Sequence, residues 1–189
     1  MGRTTSSAAL AALALTLVLA GCGGGGGGGK AKAPPPSSAA AAISLTSPAF
    51  APNSTIPTRF TCAGAGAAPP LAWRGVPASA RALALTVEDP DAPGGTFVHW
   101  VLYDVPPTTT RLTGSTPPPG AREARNGAGS TGWTPPCPPP GDKAHRYVFT
   151  LYALRAPLGL PPDGDPGQAR DAIARAALAR GQLTGTFRR

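Results

Sequence analysis

The sequence predicts a mainly β protein, built as an antiparallel sandwich or barrel with one short helix near its end. From residue 43 onward, short stretches of alternating or continuous apolar residues recur along the chain. The intervals between them are rich in turn-forming residues, and the chain contains 25 Gly and 25 Pro. With 189 residues, 41% of them hydrophobic, the chain can bury one core, so we expect a single folded domain over residues 43–189.

Residues 1–21 are typical of a bacterial leader peptide. Arg3 is followed by an apolar stretch over residues 8–20, which is too short to span a membrane as a helix. The junction "LAGC", ending at Cys22, resembles the lipobox at which a leader is cut and the cysteine acylated. The alternative is an ordinary signal peptide with a cysteine there by chance. We expect a lipoprotein of the cell envelope, anchored in the membrane and facing outside the cytoplasm.

Residues 22–42 form a linker between the anchor and the domain. The segment "GGGGGGGKAKAPPPSSAAAA" begins as a flexible glycine coil, is stiffened by three prolines, and cannot bury enough apolar surface to fold. The formal charge of the whole chain is +8, but the basic residues are scattered singly. The sequence therefore does not predict a nucleic-acid partner.

The apolar patterns place five strands and one helix. The strands are predicted over 43–46, 56–62, 81–87, 96–105 and 146–154, with "LTGTF" at 183–187 as one more candidate. A helix is predicted from Asp165 as N-cap to residue 180, packed on one edge of the sandwich, with Gly181 as its stop. Residues 108–140 lack periodicity and are longer than an ordinary loop, which indicates a functional or a disordered segment.

The two histidines of the chain lie in two unusual stretches, "EDPDAPGGTFVHW" at 88–100 and "PCPPPGDKAHRY" at 136–147. A period of two predicts that His99 shares a strand face with Phe97, Val101 and Tyr103, and that His145 shares one with Tyr147. The prolines around Asp89 and Asp91 hold these acids in a rigid turn. Taken singly, each feature also fits a structural role, as a core histidine or an Asp-Pro turn.

Together with "GWTPPCPPPGDKAHRY", these stretches resemble the phosphatidylethanolamine-binding protein family, in its bacterial Raf kinase inhibitor-like branch. The resemblance covers residues 45–187 and implies a sandwich of two antiparallel sheets with a small anion pocket. Carried over to this chain, the residues of that pocket are Asp89, Asp91, Pro93, His99, Pro138, Pro139, His145 and Tyr147.

The resemblance also places the loops of Cys62 and Cys137 near each other, which predicts a disulfide between them in an oxidising compartment. The alternative is two buried free thiols. One departure from the family pattern is Pro135, which stands where bacterial members usually have glycine and which cannot donate a backbone hydrogen bond. We expect it to reshape one wall of the pocket.

The resemblance implies a binding or regulatory protein, with a small anionic or phosphorylated ligand and a possible protein partner. We expect no catalytic residue, no cofactor and no metal, although two histidines and an aspartate could form a metal triad. The alternative is a cell-envelope hydrolase with His99 or His145 as base. It lacks a sequence signature, because the segment around Ser130 has neither a GxSxG pattern nor a following helix.

Overall fold

The computed structural model describes residues 42–189, so the predicted leader, Cys22 and nearly all of the linker lie outside the described residues. The elements, in chain order, are β1 (Ser44–Thr46), β2 (Leu71–Arg74), β3 (Ala82–Asp89), β4 (Phe97–Val105), β5 (Arg111–Leu112), β6 (Arg122–Glu123), β7 (His145–Leu154), α1 (Pro166–Ala176) and β8 (Ala177–Phe187). Within residues 42–189, no helix is long and apolar enough to cross a membrane.

The strands form two antiparallel sheets, as the sequence predicts. One sheet has three strands in the order β1-β2-β5, and the other has five in the order β6-β4-β3-β7-β8. In the larger sheet, the long strands β3, β4 and β7 stand side by side, with β3 in the middle. This arrangement brings the end of β3 next to the beginnings of β4 and β7.

The main core contains apolar side chains from both sheets. The smaller sheet contributes Leu45, Leu71, Trp73 and Leu112, and the larger one contributes alternate residues of its long strands. In β3 these are Leu83, Leu85 and Val87, and in β7 they are Tyr147, Phe149, Leu151 and Ala153. A second apolar cluster lies on the other face of the larger sheet, where Ala169 and Ile173 of α1 are buried. The helix therefore covers a sheet face rather than the predicted edge of the sandwich.

The start of α1 agrees with the sequence, whereas its predicted end is wrong. The Asp165 side chain accepts a hydrogen bond from the backbone N–H of Gln168 at 2.8 Å, and Pro166 is the first helical residue. The helix ends at Ala176, because the chain from Ala177 onward pairs with β7. A Cβ at Gly181 would overlap the backbone carbonyl of Ile43, so this glycine permits a close approach of two chain segments and is not a helix stop.

Four of the five strand predictions are confirmed, and the one over residues 56–62 is wrong. That segment contains a 3₁₀ turn, Thr58–Phe60. The backbone N–H of Phe60 donates a hydrogen bond to the carbonyl of Pro57, and the side chain of Phe60 is buried. The "LTGTF" candidate is the end of β8. Strands β2, β5 and β6 were not predicted, and the last two lie inside the long segment without periodicity.

Candidate functional site

A cleft of about 230 Å³ opens at one end of the larger sheet, where β3 ends and β4 and β7 begin. Ten residues from these strand ends and from two loops line it. They are Asp89, Ala92, Pro93, Phe97, His99, Pro135, Cys137, Pro138, Pro139 and His145. The wall is thus mainly apolar, and its ionisable groups are one carboxylate and two imidazoles.

A β-bulge in β4 turns His99 into this cleft. Val98 pairs with Glu88 of β3 and Trp100 pairs with Val87, so His99 is an extra residue with no partner on β3. A bulge of this kind locally reverses which face of the sheet the following side chains occupy. Accordingly, the ring of His99 lies beside those of Phe97 and Tyr147, with centroids 4.8 and 5.2 Å away.

The predicted face of His99 is therefore right for Phe97 and wrong for the residues that follow the bulge, whereas the predicted meeting of the two histidines is right. A strict period of two puts His99 with Val101 and Tyr103, but those two residues pack in the cluster under α1. Without the bulge, that face would point His99 away from His145 and Tyr147. On β7 the alternation holds, since Tyr147 packs in the main core and Arg146 is exposed on the other face.

His99 is fixed to the loop that follows β6. Its Nδ1 lies 2.7 Å from the carbonyl oxygen of Thr134, and the Thr134 N–H donates to the carbonyl of His99 at 2.9 Å. Because a carbonyl oxygen only accepts, Nδ1 carries the proton and Nε2 is the nitrogen left for a ligand. Burial lowers the pKa of His99 below its ordinary value of 6.5, while the Thr134 hydrogen bond and the negative charge of Asp89 oppose this shift.

His145 is held by a buried carboxylate. Its Nδ1 lies 2.8 Å from Oδ2 of Asp89, and both side chains are almost fully buried. The other oxygen of Asp89 accepts the backbone N–H of Asp91 at 2.9 Å. Asp89 therefore holds both the imidazole and the turn that follows β3. Nε2 of His145 lies 3.6 Å from a carboxylate oxygen of Asp142, whose side chain is 44% exposed.

Asp91 was predicted to line the pocket and does not. Its carboxylate instead binds Arg146, accepting from the backbone N–H at 2.9 Å and from Nε and Nη2 at 2.8 Å each. The hydrogen bond from the Arg146 side chain holds the pKa of Asp91 well below its usual range. Asp91 thus ties the turn after β3 to the start of β7, and it positions the cleft without facing it.

Tyr147 is also absent from the wall of the cleft, because its side chain is fully buried in the core behind it. Burial raises the pKa of Tyr147 well above its ordinary value, and the charge of Asp89 adds to the effect. Among the described residues, the Tyr147 hydroxyl has no hydrogen-bond partner. It is a buried donor close to Asp89 and the ring of His99.

The segment from Trp133 to Pro139 forms one wall. Trp133 donates from Nε1 to the carbonyl of Gly66 at 3.0 Å, and Cys62 donates its backbone N–H to Pro136 at 3.0 Å. A disulfide joins Cys62 to Cys137, with Cα atoms 5.3 Å apart, as predicted. Pro135 lines the cleft and packs beside Gly66.

Six of the eight predicted pocket residues line the cleft. They are Asp89, Pro93, His99, Pro138, Pro139 and His145. Sequence reasoning placed Phe97 on the face of His99 but did not identify Phe97, Ala92 or Cys137 as wall residues. It also missed Thr134 as the partner of His99. Phe97 lies two residues before His99 and has Gly127 packed against its ring. A Gly opposite an aromatic ring cannot be recognised from the pattern of a single strand.

The polar groups of the cleft are imidazoles and a carboxylate. Of the ten lining residues, none carries a hydroxyl or a free thiol. Between residues 42 and 189, no three His, Cys, Asp or Glu side chains are grouped so that they could hold a metal ion. The polar groups at hand are the Nε2 atoms of two imidazoles and the carboxylate beneath them.

Comparison with known proteins agrees with this fold. Residues 46–188 match the family model described as phosphatidylethanolamine-binding protein. The chain belongs to the phosphatidylethanolamine-binding protein family. One relative, from Mycobacterium tuberculosis, is named as a lipoprotein, LppC. It is 44% identical over 145 residues, which cover 77% of this chain and 72% of LppC. A UPF0098 protein of Methanothermobacter thermautotrophicus is 40% identical over 152 residues, covering 78% of this chain and 99% of the relative.

Solved structures of the phosphatidylethanolamine-binding protein family superpose on the domain. A homologue from Chlamydia trachomatis is 37% identical, with a TM-score of 0.73, and the match covers 78% of this chain and 98% of the homologue. YbcL of E. coli is 30% identical, with a TM-score of 0.74 and coverage of 79% and 99%. The two-sheet sandwich is therefore the fold of this family.

Proposed function

We propose that this protein is a lipid-anchored binding protein of the cell envelope, whose cleft takes a small anionic or phosphorylated ligand. The observation that carries the proposal is the convergence of His99 and His145 on one cleft, each with its Nδ1 already engaged by the protein. Nε2 of His99 is therefore left for a ligand, and Nε2 of His145 has beside it only the exposed carboxylate of Asp142, at 3.6 Å. Family membership supports binding as the general role, and the name of LppC supports the envelope location.

The charge of the cleft depends on the protonation of these two rings. With both imidazoles neutral, Asp89 and the neighbouring Asp142 give the cleft and its rim a formal charge of −2, and each Nε2 can only accept a hydrogen bond. With both protonated, the formal charge is 0 and each Nε2–H can donate to a phosphate oxygen. Asp91 does not change this balance, because it is paired with Arg146. Binding of an anion therefore requires a proton on Nε2 of the histidines or on the ligand itself.

Affinity for an anion should consequently rise as the pH falls. The free protein has a lowered His99 pKa, so binding takes up a proton, and the affinity rises by up to about tenfold per pH unit for each proton taken up. Because the pKa of His99 lies below 6.5 in the free protein, the rise should continue below that pH. Calorimetric titration between pH 5.5 and 8 measures this dependence.

The choice of ligand separates protonation of the protein from protonation of the ligand. Dimethyl phosphate keeps one negative charge over this range, whereas methyl phosphate has a second pKa near 6. A rise in affinity for dimethyl phosphate assigns the proton to the histidines. His145→Ala should weaken binding by about 1–3 kcal/mol at pH 5.5. Affinities that are equal across the pH range for both esters would refute the anion site, and release of phosphate from methyl phosphate would favour the hydrolase.

The anchor is tested by changing the proposed acylation site. Cys22→Ser should abolish acylation and normal processing, and the protein should no longer partition with the membrane in an envelope fractionation. Two acyl chains already give stable attachment, because each buried methylene contributes about 0.8 kcal/mol. Normal processing of the Ser variant would show that the leader is an ordinary signal peptide.

A further inference from the structure

The disulfide between Cys62 and Cys137 lies in an exposed position at the rim of the cleft. Both cysteines are exposed, and Cys137 is itself part of the wall. Exposed disulfides are more open to attack by thiols than buried ones, because the attacking thiolate must reach one sulfur in line with the bond. A buried bridge that only stabilises the core has no such access.

A cation lies beside this bond, nearer to one sulfur than to the other. Nη1 of Arg189 is 3.3 Å from Sγ of Cys137 and 3.9 Å from Sγ of Cys62. A neighbouring guanidinium stabilises a thiolate, and a thiolate of lower pKa is the better leaving group in exchange. Cys137 is therefore the sulfur better prepared to leave, and Cys62 is the sulfur better placed to be attacked.

We propose that the Cys62–Cys137 disulfide is a thiol–disulfide exchange site. A thiolate of a small molecule or of another protein attacks Sγ of Cys62, forms a mixed disulfide with it, and releases Cys137 as a thiolate beside Arg189. One S–S bond forms and one breaks, so the step needs no oxidant. A second equivalent of the same thiol then displaces the first from Cys62 as a symmetrical disulfide, which leaves Cys62 and Cys137 reduced.

Exchange at this site loosens the wall of the cleft without unfolding the domain. The disulfide supports the segment that contains Thr134, whose carbonyl holds the ring of His99. When the bond opens, the segment keeps the hydrogen bonds of Trp133 with Gly66 and of Cys62 with Pro136, while the strands of both sheets remain paired. The expected change is local, in the partner of His99.

The test uses the full chain, purified in detergent and treated with 2-mercaptoethanol under native conditions. Brief exposure, followed by alkylation with iodoacetamide and peptide mapping, should find the mercaptoethanol adduct on Cys62 and the alkyl group on Cys137. Arg189→Gln should slow the exchange by roughly threefold or more and remove the preference for Cys62, since the leaving thiolate of Cys137 then lacks its neighbouring cation. Arg188→Gln is the matched control and should leave the exchange rate and the preference for Cys62 unchanged.

Hydrogen exchange measures the structural consequence without any ligand. In the reduced and alkylated protein, the amide of Thr134 should exchange by local opening, and so much faster than amides of β3 and β7, which still require global unfolding to exchange. Exchange only after denaturation, an adduct mainly on Cys137, or equal rates in the Arg189→Gln protein would each overturn the proposal. An unchanged Thr134 amide would overturn the coupling to the cleft. None of these results depends on whether the cleft binds an anion.

Discussion

Replacing both bridged cysteines, by Cys62→Ser together with Cys137→Ser, should lower the free energy of unfolding by about 4 kcal/mol. The two residues are 75 positions apart in the chain. In the chain-entropy account, opening a loop of that length returns roughly 15 cal/mol/K to the unfolded chain, or about 4.5 kcal/mol at 25 °C. Because both side chains are exposed, their replacement by serine leaves no cavity in the core that would add to this figure.

Urea unfolding measured by tryptophan fluorescence is a suitable assay. For a slope of about 2 kcal/mol/M, the loss corresponds to a midpoint shift of about 2 M. The single variants supply the sharpest control, because either one alone already opens the loop. Each of Cys62→Ser and Cys137→Ser should therefore lose nearly as much stability as the double variant, which is the opposite of additive behaviour.

Three results would contradict this reasoning. Additive effects of the single variants would show that each cysteine contributes through its own contacts rather than through the bond. Titration of two free thiols in the unreduced, denatured protein would show that there is no bond. A loss below about 1 kcal/mol would mean that the unfolded chain is already compact between these two positions.

Two further predictions concern the fold around the cleft. Gly181→Ala places a methyl group against the backbone of Ile43 and should cost about 1–3 kcal/mol in thermal or urea unfolding, whereas Gly114→Ala, with open space around it, should be neutral. Asp91→Asn removes the partner of Arg146 and should lower Tm at pH 7 more than the same change at the exposed Asp171 does. Since the folded-state pKa of Asp91 is depressed, its stabilisation is complete well above 3.8 and is lost as the pH falls below that value, so the Tm difference between wild type and Asp91→Asn should narrow in acid.

Much of the larger sheet could be predicted because its long strands have apolar runs that short-range patterns detect. Strands β3, β4 and β7 each have eight to ten residues and are buried along most of their length. The unpredicted strands β5 and β6 have two residues each, and such a length carries no period. The end of α1 was misplaced because Ala177 to Arg180 are good helix formers that tertiary pairing with β7 holds extended.

The sequence predicted which residues form the candidate site better than it predicted how their side chains are arranged. Resemblance to the family identified His99 and His145 together, whereas alternation alone grouped His99 with Val101 and Tyr103, which lie on the other face of the sheet. The bulge depends on the pairing of β4 with β3, which is a long-range property with no local signal in "FVHWV". The same holds for Asp91, because its partner Arg146 lies 55 positions away in the chain.

Because of the bulge, the residue that carries the imidazole, His99, takes no part in the pairing of β4 with β3. A chain that lacked residue 99 alone would still pair Val98 with Glu88 and Trp100 with Val87, and the side chains on both sides would keep their present faces. The inserted histidine is thus the one position in this part of β4 that the ladder does not use. Insertion or deletion of a single codon there would add or remove the imidazole and leave the pairing of the sheet unchanged. Ligand binding can therefore diverge among relatives while the fold stays the same.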